Sequence, residues 1–146
     1  MKTSNLKILI IAICTLALPA QSCSDDDTND NSDLRAIELT GNLEEDEARV
    51  DDLLDDIITM VETIDCTNED NWKITPIGYR FCGEEGPEAY LAYPIEIEAS
   101  AFLKQIEVYR LSKKALIEKW DLASTCEQLQ VPTGIQCEDN EPALVY

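Results

Sequence analysis

Three hydrophobic patterns follow one another along the chain. Residues 8–18 form an uncharged, largely apolar run, bounded by Lys7 and Pro19. From Asn42 the period becomes helical. Leu43, Glu47, Val50, Leu54, Ile57, Val61 and Ile64 step by four and three, with only Glu47 polar, and this stripe predicts a helix over about 42–64. Asn42 and Glu45 form an N-cap pair, and Glu44, Glu45 and Asp46 occupy the first turn, where the helix dipole favours acids. Asp51, Asp52, Asp55 and Asp56 fall off the stripe and are expected to face water.

Between residues 66 and 94 the texture changes to tyrosine-bearing extended runs broken by proline and glycine. It predicts strands over about 72–81 and 89–97, with Pro76 making the first an edge or bulged strand. Gly83, Glu84, Glu85, Gly86 and Pro87 make an exposed acidic turn between them. Helical spacing returns with Phe102, Ile106, Tyr109, Leu116 and Trp120, predicting a helix over about 99–121 with Ser100 as candidate N-cap. A β-hairpin is expected over about 133–146, turning through Glu138, Asp139, Asn140 and Glu141. Its apolar last strand suggests that truncation there would damage folding. The fold class expected is α+β: two amphipathic helices with a small antiparallel sheet and two disulfides.

The first run changes the picture of where the chain resides. Lys2 and Lys7, then an apolar stretch too short to span a bilayer, have the layout of a signal peptide over 1–22. Ser22 and Cys23 after this run resemble the lipobox of bacterial lipoproteins, in which the cysteine is lipidated and becomes the first residue. Ordinary cleavage after Ala20 and a retained membrane helix are the competing readings. Cysteine parity favours lipidation at Cys23, because Cys66, Cys82, Cys126 and Cys137 then remain as an even set suited to an oxidising compartment. Residues 23–41 read as an acidic, disordered tether. Ser24, Asp25, Asp26 and Asp27 are similar to the export tethers of surface lipoproteins in some Gram-negative bacteria, which implies an outer-membrane anchor facing the cell exterior.

Composition narrows the chemistry. The chain has 146 residues, 30 acids, 11 bases and no histidine, with net charge −19. The absence of histidine removes imidazole acid–base catalysis and His-ligated metal sites, and the acidity argues against nucleic acid as a partner. Asp27, Asn29, Asn31, Asp33 and Glu38 match calcium-loop spacing, but Ser32 stands where glycine is needed, so no metal or cofactor is expected. Lys104, Arg110, Lys113, Lys114 and Lys119 give the second helix a basic face, read as charge balance against the acidic first helix rather than as an anion site. Four mature cysteines allow three connectivities. The local one, Cys66–Cys82 with Cys126–Cys137, is the expectation.

Cys66, Trp72, Thr75, Pro76, Ile77, Gly78, Cys82, Gly83, Gly86, Pro87, Tyr90, Cys126, Cys137 and the closing Leu144, Val145 and Tyr146 together resemble a group of small bacterial lipoproteins of unassigned activity. The resemblance covers about residues 60–146. The group typically reads Cys-Gly-Gly-Pro after its second cysteine, whereas Glu84 and Glu85 separate the glycines here. It implies architecture and address but no mechanism.

Three function classes follow. The first is a lipid-anchored binding module for a protein or glycan, with Glu84, Glu85, Trp72, Tyr79, Tyr90 and Tyr93 as the candidate contact surface. The second is a structural coat or stalk in which the first helix dimerises. The third, an enzyme, would need a carboxylate pair acting on a glycan, Glu84 with Glu85 or Glu96 with Glu98 on one strand face. No catalytic residue is assigned, and the binding module is the expectation.

Overall fold

The computed structural model describes residues 34–124 and 126–146. The signal segment, Cys23 and the acidic run through Asp33 lie outside the described residues. Helix α1 spans Leu43–Glu62 and helix α2 spans Ala99–Trp120. Between them stand a single 3-10 turn, Glu69–Asn71, and strands β1 (Trp72–Ile77), β2 (Arg80–Phe81), β3 (Glu85–Gly86) and β4 (Ala89–Pro94). Strands β5 (Gly134–Glu138) and β6 (Glu141–Val145) follow α2. The architecture is α+β. Its β-structure is three antiparallel pairs, β1 with β4, β2 with β3 and β5 with β6. No described helix is long and apolar enough to cross a membrane.

The core lies where α1 and α2 pack on each other and on the β1–β4 ribbon. Val50, Ile57 and Val61 from α1 meet Phe102, Ile106, Tyr109 and Leu116 from α2, with Trp72, Ile77, Ala92 and Tyr93 from the ribbon. The helical stripes therefore behave as read. The stripe on α1 is buried within its own domain, which leaves a coiled stalk without the seam it needs. Asn42 caps α1, its side chain accepting from Glu45 N at 3.3 Å. Ser100 does not cap α2. Glu98 takes that position without a side-chain cap bond, and the Ser100 hydroxyl donates to its carboxylate at 2.9 Å.

Local chemistry explains where the strands depart from expectation. The run over 72–81 is two strands, because Gly78 (φ 74°) turns the chain out of the extended region. A Cβ there would lie 2.8 Å from Glu88 Cβ, so the position needs glycine twice over. The strand expected over 89–97 stops at Pro94, whose carbonyl accepts from Ile97 N in a turn. The final hairpin turns on Asp139 and Asn140, both at positive φ, the two-residue form that suits a right-handed strand twist.

Two further features differ from the sequence expectation. The tether does not reach Gly41. Ile37 and Leu39 pack against the core, and Ile37 N donates to the buried Ser112 Oγ at 3.0 Å. The structured domain thus begins several residues before α1. The disulfides are Cys66–Cys137 and Cys82–Cys126, not the local pairs. Strand β1 accounts for this: six extended residues carry the chain about 20 Å away from Cys66. The β5–β6 hairpin returns to the end of α1, where Cys66 N donates to Asn140 O at 2.7 Å. The β2–β3 hairpin meets the segment after α2, where Phe81 N donates to Ser124 Oγ at 3.1 Å. These bridges close sequence separations of 71 and 44 residues. On a chain-entropy basis each is worth about 4 kcal/mol, roughly 1 kcal/mol more than a local bridge.

Candidate functional site

Strand β3 and the Gly86–Pro87 corner form one wall of a groove whose other wall is α2. Leu103, Ile106, Glu107 and Arg110 come from the helix, while Thr75, Pro76, Gly78 and Tyr79 close the floor, enclosing about 400 Å³. The spacing of 103, 106, 107 and 110 places these residues on one flank of α2, beside its core face. Ile106 belongs to both. Leu103 is exposed and offers an apolar lip.

The wall is fixed by polar contacts around Glu85. Its carboxylate accepts from Lys114 Nζ and from Tyr79 OH, the latter at 3.3 Å. The Lys114 ammonium lies 5.4 Å from the centre of the Tyr79 ring, a cation–π contact over a buried phenol. The Lys114 hydrogen bond holds the Glu85 carboxyl below its ordinary value against the opposing effect of burial. The same bond raises the Lys114 ammonium, and burial together with the Glu85 charge raises the Tyr79 phenol. Arg110 binds Glu107 through two parallel contacts, Nε and Nη2, each at 2.7 Å. That fork raises the guanidinium and steadies the groove's far rim.

The residues proposed as a contact surface separate on folding. Trp72, Tyr79 and Tyr93 are buried, and Tyr93 packs on Phe102 with ring centres 5.0 Å apart. They are core residues rather than an exposed aromatic patch, because a domain of this size needs its largest rings inside. Tyr90 is half-buried on β4, away from this groove. Glu84 lies exposed in the β2–β3 turn. Of the set, Tyr79 and Glu85 are brought together at the groove. Glu96 and Glu98 share no strand face, since both lie beyond the end of β4 and Glu98 caps α2.

The basic face of α2 also has partners other than those expected. Lys113 reaches Glu88 at 3.6 Å, Lys114 binds Glu85 and Glu118, and Arg110 binds Glu107. Lys119 alone of these contacts α1, through Asp46 at 2.9 Å. Lys114 and Arg110 were visible in the sequence as charge. Their place at the groove follows from the four-residue step between them, which puts both on the flank beside β3.

What this arrangement supplies is shape and a fixed, zwitterionic rim. Its acids and bases are already matched with one another, which suits recognition of a neutral or weakly polar surface more than proton transfer. No protein-family model, no curated protein and no solved structure matches this chain.

Proposed function

We propose that this chain is an exported, lipid-anchored binding module, displayed at the cell surface, which recognises a protein or glycan through the groove between β3 and α2. The observation that carries the reading is the way the groove's hairpin wall is tied down. The β2–β3 hairpin is held to the segment after α2 by Cys82–Cys126 and by Phe81 N on Ser124 Oγ, and to α2 by Glu85 on Lys114. A loop fixed in advance loses little conformational entropy when a ligand arrives, so more of the contact energy appears as affinity. The address rests on the basic start, the short apolar run, the Ser22–Cys23 junction and the acids that follow.

Two measurements test it. Cells grown with labelled palmitate should incorporate label into the wild type and not into Cys23→Ser, and protease added outside intact cells should remove the protein. Binding to arrayed glycans and to extracellular glycoproteins should fall at least tenfold in Leu103→Asp, a change at the exposed lip. An unlabelled wild type would remove the anchor. Equal binding by Leu103→Asp would remove the groove.

A further inference from the structure

Among the described residues, strand β4 pairs with β1 along one edge only. Beyond the strand ends, Ile95 N donates to Asn71 O at 2.8 Å, which fixes the phase of the ladder. Lys73 with Tyr93, Thr75 with Leu91 and Ile77 with Ala89 are then the hydrogen-bonded pairs, and the intervening pairs are not. Pro76 and Pro94 both fall at non-bonded positions, where a residue without N–H costs the ladder nothing. The same phase turns the main-chain N–H and C=O of Tyr90 and Ala92 away from β1. Among the described residues no group outside the ladder hydrogen-bonds to them. Tyr90 is half-buried and Ala92 3% exposed, so a partner reaches this edge through the cavities beside it.

A groove follows this edge. Tyr90, Leu91 and Ala92 line a cavity of about 520 Å³, and Ala89, Tyr90 and Leu91 line a second of about 410 Å³. Side chains on a strand alternate between its faces, so consecutive residues lining one cavity mean that it runs along the strand's edge. Ile58 of α1 belongs to both cavities and joins them. Val61 and, just beyond the end of α1, Ile64 continue this wall, and Pro142 and Leu144 form the wall towards β6. Glu62 and Glu141 stand at one cavity, and Asp51 and Glu88 at the other with Lys113. The rim is therefore acidic and the floor apolar.

We propose that the open edge of β4 accepts an extended, basic-flanked segment of a partner polypeptide as a third strand. Main-chain bonds to Tyr90 and Ala92 would supply affinity, and alternate apolar side chains would fill the two cavities. A second copy of this chain would bring the same acidic rim against itself. The chain's own segment before Leu34 carries Asp25, Asp26, Asp27, Asp30 and Asp33, the same sign of charge as the rim, and so lacks the complementary bases. The walls of α1 and β6 limit the edge to one incoming strand, which also guards it against open-ended sheet growth. This surface is separate from the groove beside β3, and neither reading depends on the other.

The probe is the synthetic peptide Lys-Val-Thr-Val-Thr-Val-Lys, titrated into the full-length protein and followed by amide NMR and hydrogen exchange. The Tyr90 and Ala92 amides should shift and their exchange slow on binding. Of two peptides N-methylated on odd or on even residues, one should bind at least tenfold more weakly and the other nearly as well as the parent, because only one phase of amides faces β4. Glutamate in place of the terminal lysines should weaken binding at least threefold. Tyr90→Pro, which removes the outward N–H while sparing the ladder as Pro76 does, should weaken it at least tenfold. The proposal is overturned by absence of saturable binding at millimolar peptide, by equal affinity of both methylated peptides, or by shifts that map to Leu103 instead. Protection of Tyr90 that rises with protein concentration and without peptide would equally overturn it in favour of a second copy.

Discussion

Asp46, in the first turn of α1, accepts the indole N–H of Trp120, in the last turn of α2, at 3.0 Å. The carboxylate is completely buried and also accepts from Thr40 N and from Lys119 Nζ. Burial alone would push this carboxyl up. The hydrogen bonds from Lys119, Thr40 and Trp120 outweigh it and hold the group well below the usual carboxylate range. The start of α1 with the residues just before it and the end of α2, more than seventy positions apart, thus meet at one side chain. Replacing it removes the shared acceptor of three donors, of which the partly exposed Lys119 can turn to water, while the partly buried Thr40 N and Trp120 Nε1 lose their bond. Asp46→Ala should lower Tm by on the order of 10 °C, measured by circular dichroism, and Lys119→Met by much less.

The same group sets an acid limit. A carboxylate whose folded pKa is depressed contributes stability above its unfolded value, near ~3.9, and loses it as pH falls through the folded value. Glu85 is depressed too, so both act in the same direction. Urea midpoints should be nearly constant from pH 7 to 5 and fall progressively below about pH 4. In Asp46→Asn, already destabilised, the fall should be shallower. An unchanged slope would show that other carboxylates control acid unfolding.

The two disulfides should differ in accessibility. Cys66 is buried and Cys137 half-buried, whereas Cys82 and Cys126 are both exposed. Under a graded series of phosphine reductant, mass spectrometry should find Cys82 and Cys126 alkylated first, with Cys66 and Cys137 protected until the domain unfolds. Non-reducing peptide maps should contain the two long-range bridges and neither local one.

Glycine is required unequally in the two tight turns. Gly78 (φ 74°) would bring a Cβ against Glu88, while Gly83 (φ 80°) faces open space. Gly83→Ala should cost about 1 kcal/mol of backbone strain alone. Gly78→Ala should cost roughly 2–4 kcal/mol, since steric overlap adds to the same strain. Chemical denaturation of the two variants side by side measures the difference.

Residues before α1 belong to the domain. A chain beginning at Leu34 retains Ile37, Leu39 and the bond from Ile37 N to Ser112, and a chain beginning at Asn42 does not. The shorter chain should be less stable by roughly 2–4 kcal/mol, from lost apolar burial and an emptied polar site. Equal stability would return these residues to the tether.

Much of this fold could be read from local patterns, and what could not was non-local. The stripe of Val50, Ile57 and Val61, the Asn42 cap and the turn at Asp139 and Asn140 each depend on spacing within a few residues. The partners of Cys66 and Cys82 depend on where β1 carries the chain, which no spacing records. Position alone makes Asp46 one of three first-turn acids, and its neighbours Glu44 and Glu45 do face water. Its burial is decided by Lys119 and Trp120, more than seventy residues away. Gly78 could have signalled the break in the 72–81 run, but a single glycine in an extended run is compatible with a bulge as well as with an end. At the groove, Glu85 and Tyr79 were recognisable as polar and aromatic candidates. Lys114, read as charge balance, turned out to hold both.

The bridge from Cys66 to Cys137 also has a mechanical meaning. It spans 71 positions of sequence with a single covalent crossing. A pulling force applied to the two ends of the chain passes from α1 through that crossing into β5, and it bypasses everything between. The β1–β4 ribbon, α2 and the walls beside Leu103 lie off that covalent path, and about 240 Å of potential extension is locked away. Drag or tension transmitted along the N-terminal chain would strain the Asp46 junction and α1 first, and with α1 one wall of the groove beside β4, while the groove beside Leu103 lies inside the bridge.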